Sequence, residues 1–206
     1  MSVLPIYLYG SDVLRQKARS VESLSNDTIK LIYDMMETMH KAGGIGLAAN
    51  QVGSMKRVIV IDVTHAEEDE EDGAGNPSAF SEKPKGPTRV VLINPEIVEE
   101  SGSWPMEEGC LSIPDVRADV TRSERIRVKF QNANFEEEVL VAEGLLGRVI
   151  LHEIDHLNGV LFIDHLSSAK RGLLSPKLRK IKRGETEAVY PVVVASEAKK
   201  SGKVEV

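Results

Sequence analysis

The residues best suited to chemistry lie in the segment His152-Glu153-Ile154-Asp155-His156. Helix positions four apart share a face, so both imidazoles can ligate one metal ion. The glutamate beside the first can then carry a proton for a bound water. The neighbours Leu145, Leu146, Val149, Ile150, Leu151, Ile154 and Leu157 are apolar nearly all round, which predicts a buried helix. Buried imidazoles and a buried carboxylate need polar partners, and a metal satisfies them together.

Two histidines leave a catalytic site one protein ligand short. Leu157-Asn158-Gly159-Val160 begins none of the recognisable continuations of zinc peptidases, which draw their third ligand from downstream. His165 is a rival, but its spacing does not place it on the same face. Cys110, the single thiol of the chain, sits in Glu108-Gly109-Cys110-Leu111-Ser112-Ile113-Pro114. A glycine there frees the approach, and a short strand-like stretch can hold the thiolate against the helix. A lone cysteine is also an ordinary small hydrophobe, so spacing alone leaves both readings open.

Other elements must position these groups. Ile29, Ile32, Met36 and Met39 recur at helical spacing after Ser25 or Asn26 as cap, and Gly43-Gly44 ends that helix. The methionines read as core filling. The small residues from Gly43 to Gly53 let a backbone or ligand approach closely. Residues 58–63 and 89–93 are continuous apolar runs of strand length, the second ended by Asn94-Pro95. Residues 116–140 alternate, as half-exposed antiparallel strands do. Strands first and the histidine helix afterwards indicate an α+β fold rather than repeated βαβ units. Beyond it, Ser167-Ser168 leads into a basic helical segment ending near Arg183. The tail from 184 is polar except for residues 189–194, a candidate edge strand.

Composition excludes several classes. The 206 residues suit one globular domain or one domain plus tails, and the net charge of -6 argues against a partner bound through phosphates. The acidic run Glu67-Glu68-Asp69-Glu70-Glu71-Asp72 has no spaced ligand pattern and reads as a solvated insertion. His40 and His65 read as surface or loop residues. The first residues lack the charged start and apolar run of a signal peptide, and no stretch approaches the roughly 18 apolar residues of a membrane span. A single cysteine fits a reducing compartment, and a cytoplasmic location is expected.

Three segments together are more specific than any one. Gly44-Ile45-Gly46-Leu47-Ala48-Ala49-Asn50-Gln51, Glu108-Gly109-Cys110-Leu111-Ser112 and His152-Glu153-Ile154-Asp155-His156 resemble, in the same order, the three motifs of the peptide deformylase family. The resemblance spans most of the chain between Tyr7 and Lys170. It omits the acidic insertion and the tail. It implies antiparallel β-sheets packed around a central metal-binding helix. The catalytic domain would cover residues 1–183, with the insertion at about 65–88 and a polar tail at 184–206.

The resemblance further implies one divalent metal held by Cys110, His152 and His156, with water as fourth ligand. Fe(II) is expected in the cell, and Zn(II), Ni(II) or Co(II) in purified protein. A thiolate with two neutral imidazoles suits these ions and not Mg(II) or Ca(II). The implied substrate is the N-formyl group on the initiator methionine of a nascent chain. Water attacks the formyl carbon, the metal, the Gln51 amide and the Leu111 N–H hold the oxyanion, and Glu153 passes the proton to the leaving nitrogen. Ile45, Gly46 and Gly109 resemble positions whose backbone pairs with substrate as an added strand. The methionine side chain is expected beside Val149, with Arg148 contributing its alkyl stem. Arg117 matches an arginine expected to contact the peptide, and Asp155 should pair with a cation such as Arg122. Formyl-methionyl nascent peptides are the expected partners, and the basic C-terminal helix is a candidate ribosome contact. Neither a membrane nor sequence-specific nucleic acid is expected.

Overall fold

The computed structural model describes residues 2–64 and 87–195. The acidic insertion apart from its last two residues, and the tail from residue 196, lie outside the described residues.

The elements run, in chain order, β1 (Ile6–Tyr7), α1 (Asn26–Lys41), β2 (Gly46–Ala48), β3 (Val58–Asp62), β4 (Arg89–Ser101) and β5 (Trp104–Cys110). They continue with β6 (Ile113–Arg122), β7 (Arg125–Gln131), β8 (Glu137–Glu143), α2 (Gly144–Leu157), α3 (Ser168–Lys182) and β9 (Val192–Val193). Five strands form an antiparallel sheet in the order β2-β3-β4-β7-β8. β5 and β6 form a separate antiparallel hairpin, and β1 pairs with β9 in parallel. The α+β expectation holds.

Every residue of β3 is buried, which explains its continuous apolar run. Ile59 and Ile61 face Val149, Ile150 and Ile154 of α2, whereas Val58 and Val60 face Met35 and Met39 of α1. The sheet is therefore covered by α2 on one side and by α1 on the other. A third cluster joins the hairpin, through Ile113, Val116 and Val120, to Leu178 and Ile181 of α3.

Ser25 caps α1 by accepting from the Thr28 N–H at 3.2 Å. Its core face is Ile32, Met35 and Met39, while Ile29 is exposed, a shift from the expected apolar set. Asn94-Pro95 does not end β4. The register shifts between Ile93 and Glu96, Asn94 adopts φ 53°, and pairing with β7 then resumes as far as Ser101. A bulge accommodates the missing proline N–H, and the Asn94 side chain holds it by bonding both the N–H and the carbonyl of Val21 at 2.8 Å. The 189–194 stretch supplies the short edge strand β9.

Candidate metal centre

Period 3.6 places Arg148, His152 and His156 along one stripe of α2, and period 2 places Trp104, Met106, Glu108 and Cys110 on one face of β5. The stripe and the strand face each other. Cys110 Sγ lies 3.1 Å from His156 Nε2, and the ligand atoms of Cys110, His152 and His156 all lie within 4.8 Å of one another. Tertiary packing thus brings the thiol to the histidine pair. His165 turns away and bonds Asp155 at 2.7 Å.

Glu108 organises the rest. Its carboxylate meets His152 Nδ1 at 2.9 Å, accepts from Arg122 at 2.5 and 3.0 Å, and accepts from Arg148 at 2.7 Å. Burial opposes its charge, but His152 and Arg122 outweigh burial and hold the carboxyl well below the usual range. Arg122 also bonds Asp155 at 2.7 Å, the pair expected for that carboxylate. Arg148 departs from expectation. Its guanidinium is buried, bonds Glu108 and the carbonyls of Val120 and Trp104, and stacks 5.0 Å from the Trp104 ring centroid. A buried carboxylate attracts the whole charged head, so more than the stem is committed.

The glycine-rich loop lies flat on α2. A Cβ on Gly46 would stand 2.5 Å from Glu153 Oε1 and 2.7 Å from Val149 Cγ1, so only glycine permits this approach. Ala48 N–H donates to Gln51 Oε1 at 2.8 Å, which turns Gln51 Nε2 toward Ser112 Oγ at 3.2 Å and Cys110 Sγ at 3.6 Å. Asn50 donates to the His156 carbonyl and ties this loop to the end of α2. Arg117 is exposed, sits opposite Gly109 in the hairpin register, and lies 3.8 Å from Glu107. Leu111 lies in the turn between β5 and β6, directly after Cys110.

One buried atom beside the cluster supports a fit to a bound ion and its water. Among the described residues, Glu153 Oε2, in a carboxylate next to His152, has no hydrogen-bond partner, whereas the unpartnered His156 Nδ1 belongs to a ring whose other nitrogen, Nε2, faces Cys110. Burial drives His156 well below its ordinary pKa, toward the neutral imidazole that ligates metals. On His152 burial also works against charge, yet Cys110 and Glu108 raise it to about 10. Burial pushes the Glu153 carboxyl up to about 7.

Sequence reasoning assigned no task to Glu108, Ser112 or Asn50. The alternation of β5 was the available signal for Glu108, which lies two residues before Cys110 and therefore on the same face.

A family model described as polypeptide deformylase matches residues 3–172. The chain belongs to the peptide deformylase family. It is a metal-dependent hydrolase that removes the N-formyl group from newly made polypeptides. It is 50% identical to the peptide deformylase of Salinibacter ruber, over 93% of this chain and 94% of the relative. With that of Cytophaga hutchinsonii the identity is 44%, over 91% and 95%. The crystal structure of the Ehrlichia chaffeensis enzyme in complex with actinonin matches with a TM-score of 0.76 and 37% identity, covering 91% of this chain and 100% of that one. The Thermus thermophilus enzyme gives 0.74 and 36%, over 89% and 100%. Among the described residues no helix is long and apolar enough to cross a membrane.

Proposed function

We propose that Cys110, His152 and His156 hold one divalent ion, Fe(II) in the cell, and that Glu153, Gln51 and the Leu111 N–H act around it to release formate from formyl-methionyl nascent chains. The supporting observation is the convergence of one sulfur and two imidazoles within 4.8 Å, beside the buried carboxylate of Glu153.

The donor set is borderline-soft and suits Fe(II), Zn(II), Ni(II) or Co(II). A bound ion supplies Lewis acidity, which polarises the formyl carbonyl and makes water a better nucleophile near neutral pH. Glu153, with a pKa of about 7, takes a proton from the attacking water and returns it to the leaving nitrogen. Gln51 Nε2 and the Leu111 N–H donate to the developing oxyanion, where one donor contributes on the order of 3 kcal/mol.

The substrate joins as a strand. β2 ends the five-stranded sheet and β5 belongs to a two-stranded hairpin, so both are sheet edges. Gly46 and Gly109 lie on those edges next to Glu153 and Cys110, with Ile45 preceding β2. Their backbone pairs with an extended peptide, and the methionine side chain lies beside Val149. Arg117, across from Gly109, contacts residues further along the peptide. The exposed cations Lys170, Arg171, Lys180 and Lys182 of α3 form the ribosome-facing surface of a cytoplasmic enzyme. The catalytic domain spans residues 1–183, the acidic insertion being a surface addition and 184–206 a tail.

Formate release from a formyl-Met peptide by anaerobically purified protein, with metal analysis of the same sample, tests this reading. Glu153→Ala should keep its metal and lose roughly 100- to 10,000-fold in kcat. Cys110→Ala should lose the metal. Retained activity in the first or retained metal in the second overturns the assignment.

A further inference from the structure

Tyr190 lies beyond the family-matched residues 3–172, yet it reaches the turn next to Cys110. Its hydroxyl donates to the Leu111 carbonyl at 2.7 Å. That turn consists of Leu111 and Ser112 alone, between the paired Cys110 and Ile113, so the Leu111–Ser112 peptide lies outside the paired residues of the hairpin. Three outside contacts hold the turn, two at backbone carbonyls and one at a side-chain hydroxyl. Tyr9 N–H donates to the Ser112 carbonyl at 2.8 Å, Gln51 Nε2 to Ser112 Oγ at 3.2 Å, and Tyr190 to Leu111.

Leu111 is restrained from the opposite side as well. A Cβ added to Gly44 would lie 2.7 Å from Leu111 Cδ1, so the leucine side chain already rests against that loop. With the side chain stopped by Gly44, the remaining freedom of Leu111 is rotation of its two flanking peptide planes. The Tyr190 hydroxyl holds one plane by its carbonyl, and the other carries the Leu111 N–H.

Tyr190 is itself well anchored. The Ile6 N–H donates to the Pro191 carbonyl and the Leu8 N–H to the Val193 carbonyl, both at 2.9 Å, as β9 pairs with β1. Its ring packs against the cluster that contains Met35 and Leu47. Burial pushes the phenol up to about 12, so it stays a donor at working pH.

We propose that Tyr190 is a positioning residue of the hydrolytic site, its hydroxyl holding the Leu111 carbonyl so that the Leu111 N–H points where the oxyanion forms. This rests on the reading of Leu111 as an oxyanion donor. Loss of such alignment acts on the transition state and leaves ground-state binding alone.

Tyr190→Phe removes only the hydroxyl. With a formyl-Met peptide as substrate, and at a temperature well below the variant's Tm, kcat should fall about tenfold, a fraction of the loss on removing a whole oxyanion donor. KM and metal content per chain should stay at wild-type values. An unchanged kcat, a loss confined to KM, or a loss that tracks metal content each overturns the proposal. Glu153→Ala is measured in parallel. If it is inactive while Tyr190→Phe equals wild type, only the Tyr190 assignment fails. If it remains active, the reading of the whole site fails with it.

Discussion

Glu108 and His152 are joined by a 2.9 Å hydrogen bond between the carboxylate Oε2 and the imidazole Nδ1, and this contact decides which ring nitrogen faces Cys110. The carboxylate is itself locked by Arg122 and Arg148, so the imidazole meets a rigid acceptor. A second partner of this kind sets ring orientation and raises ligand basicity.

Glu108→Gln keeps the shape and removes the charge. Metal affinity should fall about 10- to 100-fold, read as metal retained against a graded chelator. Wild-type retention would contradict the role assigned to this carboxylate. Buried Arg148 also loses its carboxylate partner, while Arg122 keeps only Asp155, so a lower Tm should accompany the metal loss.

Gly46→Ala places a methyl group 2.5 Å from Glu153 Oε1 and 2.7 Å from Val149 Cγ1. Overpacking should cost about 1–3 kcal/mol in a denaturant titration. Displacement of Glu153 by part of an ångström should also lower kcat by at least roughly tenfold. Gly172→Ala is the contrasting case. Nothing lies within 4 Å of a Cβ there, and in a helix the change should stabilise by about 0.5–1 kcal/mol.

Asp62 gives a pH signature away from the metal cluster. It meets His40 Nε2 at 2.9 Å and accepts from Arg89 Nε at 2.7 Å and Thr64 N–H at 3.1 Å. Burial opposes its charge, but these hydrogen bonds prevail and hold the carboxyl well below the ordinary value. A depressed carboxyl contributes stability that is complete above the unfolded pKa of about 4 and is lost as pH falls through the folded value. Asp62→Asn should therefore cost about 1–2 kcal/mol at pH 7, with the gap closing below roughly pH 4. A gap that widens in acid would refute this.

Asn50→Ala tests the tie between the glycine loop and α2. The Asn50 amide is fully buried and donates to the His156 carbonyl. The substitution should cost about 1–3 kcal/mol, and at about 2–4 °C per kcal/mol for a chain of this size the loss is visible in a melting curve. An unchanged Tm would mean that the loop is held by other contacts.

Much of this was legible beforehand because it is local. The histidine pair and its glutamate follow from helical spacing, the alternation of residues 116–140 yields β6 to β8, and Ser25 yields a cap. Asn94-Pro95 misled because a strand stop and a bulge use the same residues, and only the partner strand β7 decides between them. Arg148 misled because its head goes to Glu108, a residue 40 positions away in the chain. The contact of the Tyr190 hydroxyl with Leu111 was invisible in residues 189–194, which read only as a candidate edge strand, because it joins positions 79 apart in the chain.

The sequence by itself determined the donor chemistry: which residues can bind a metal, which can move a proton, and which helix or strand face each occupies. Those properties depend on side-chain type and on repeats of 2 and 3.6 residues. Spacing left Cys110 and His165 both open and the family motifs pointed to Cys110, but only the tertiary structure brings its sulfur to the histidine pair. It alone decided that Glu108 backs His152 and that the Gly46 loop closes over Glu153, whose burial the apolar flanks of the helix already indicate. Each depends on how β5 and the glycine loop pack against α2, and so does the desolvation that raises the Glu153 pKa.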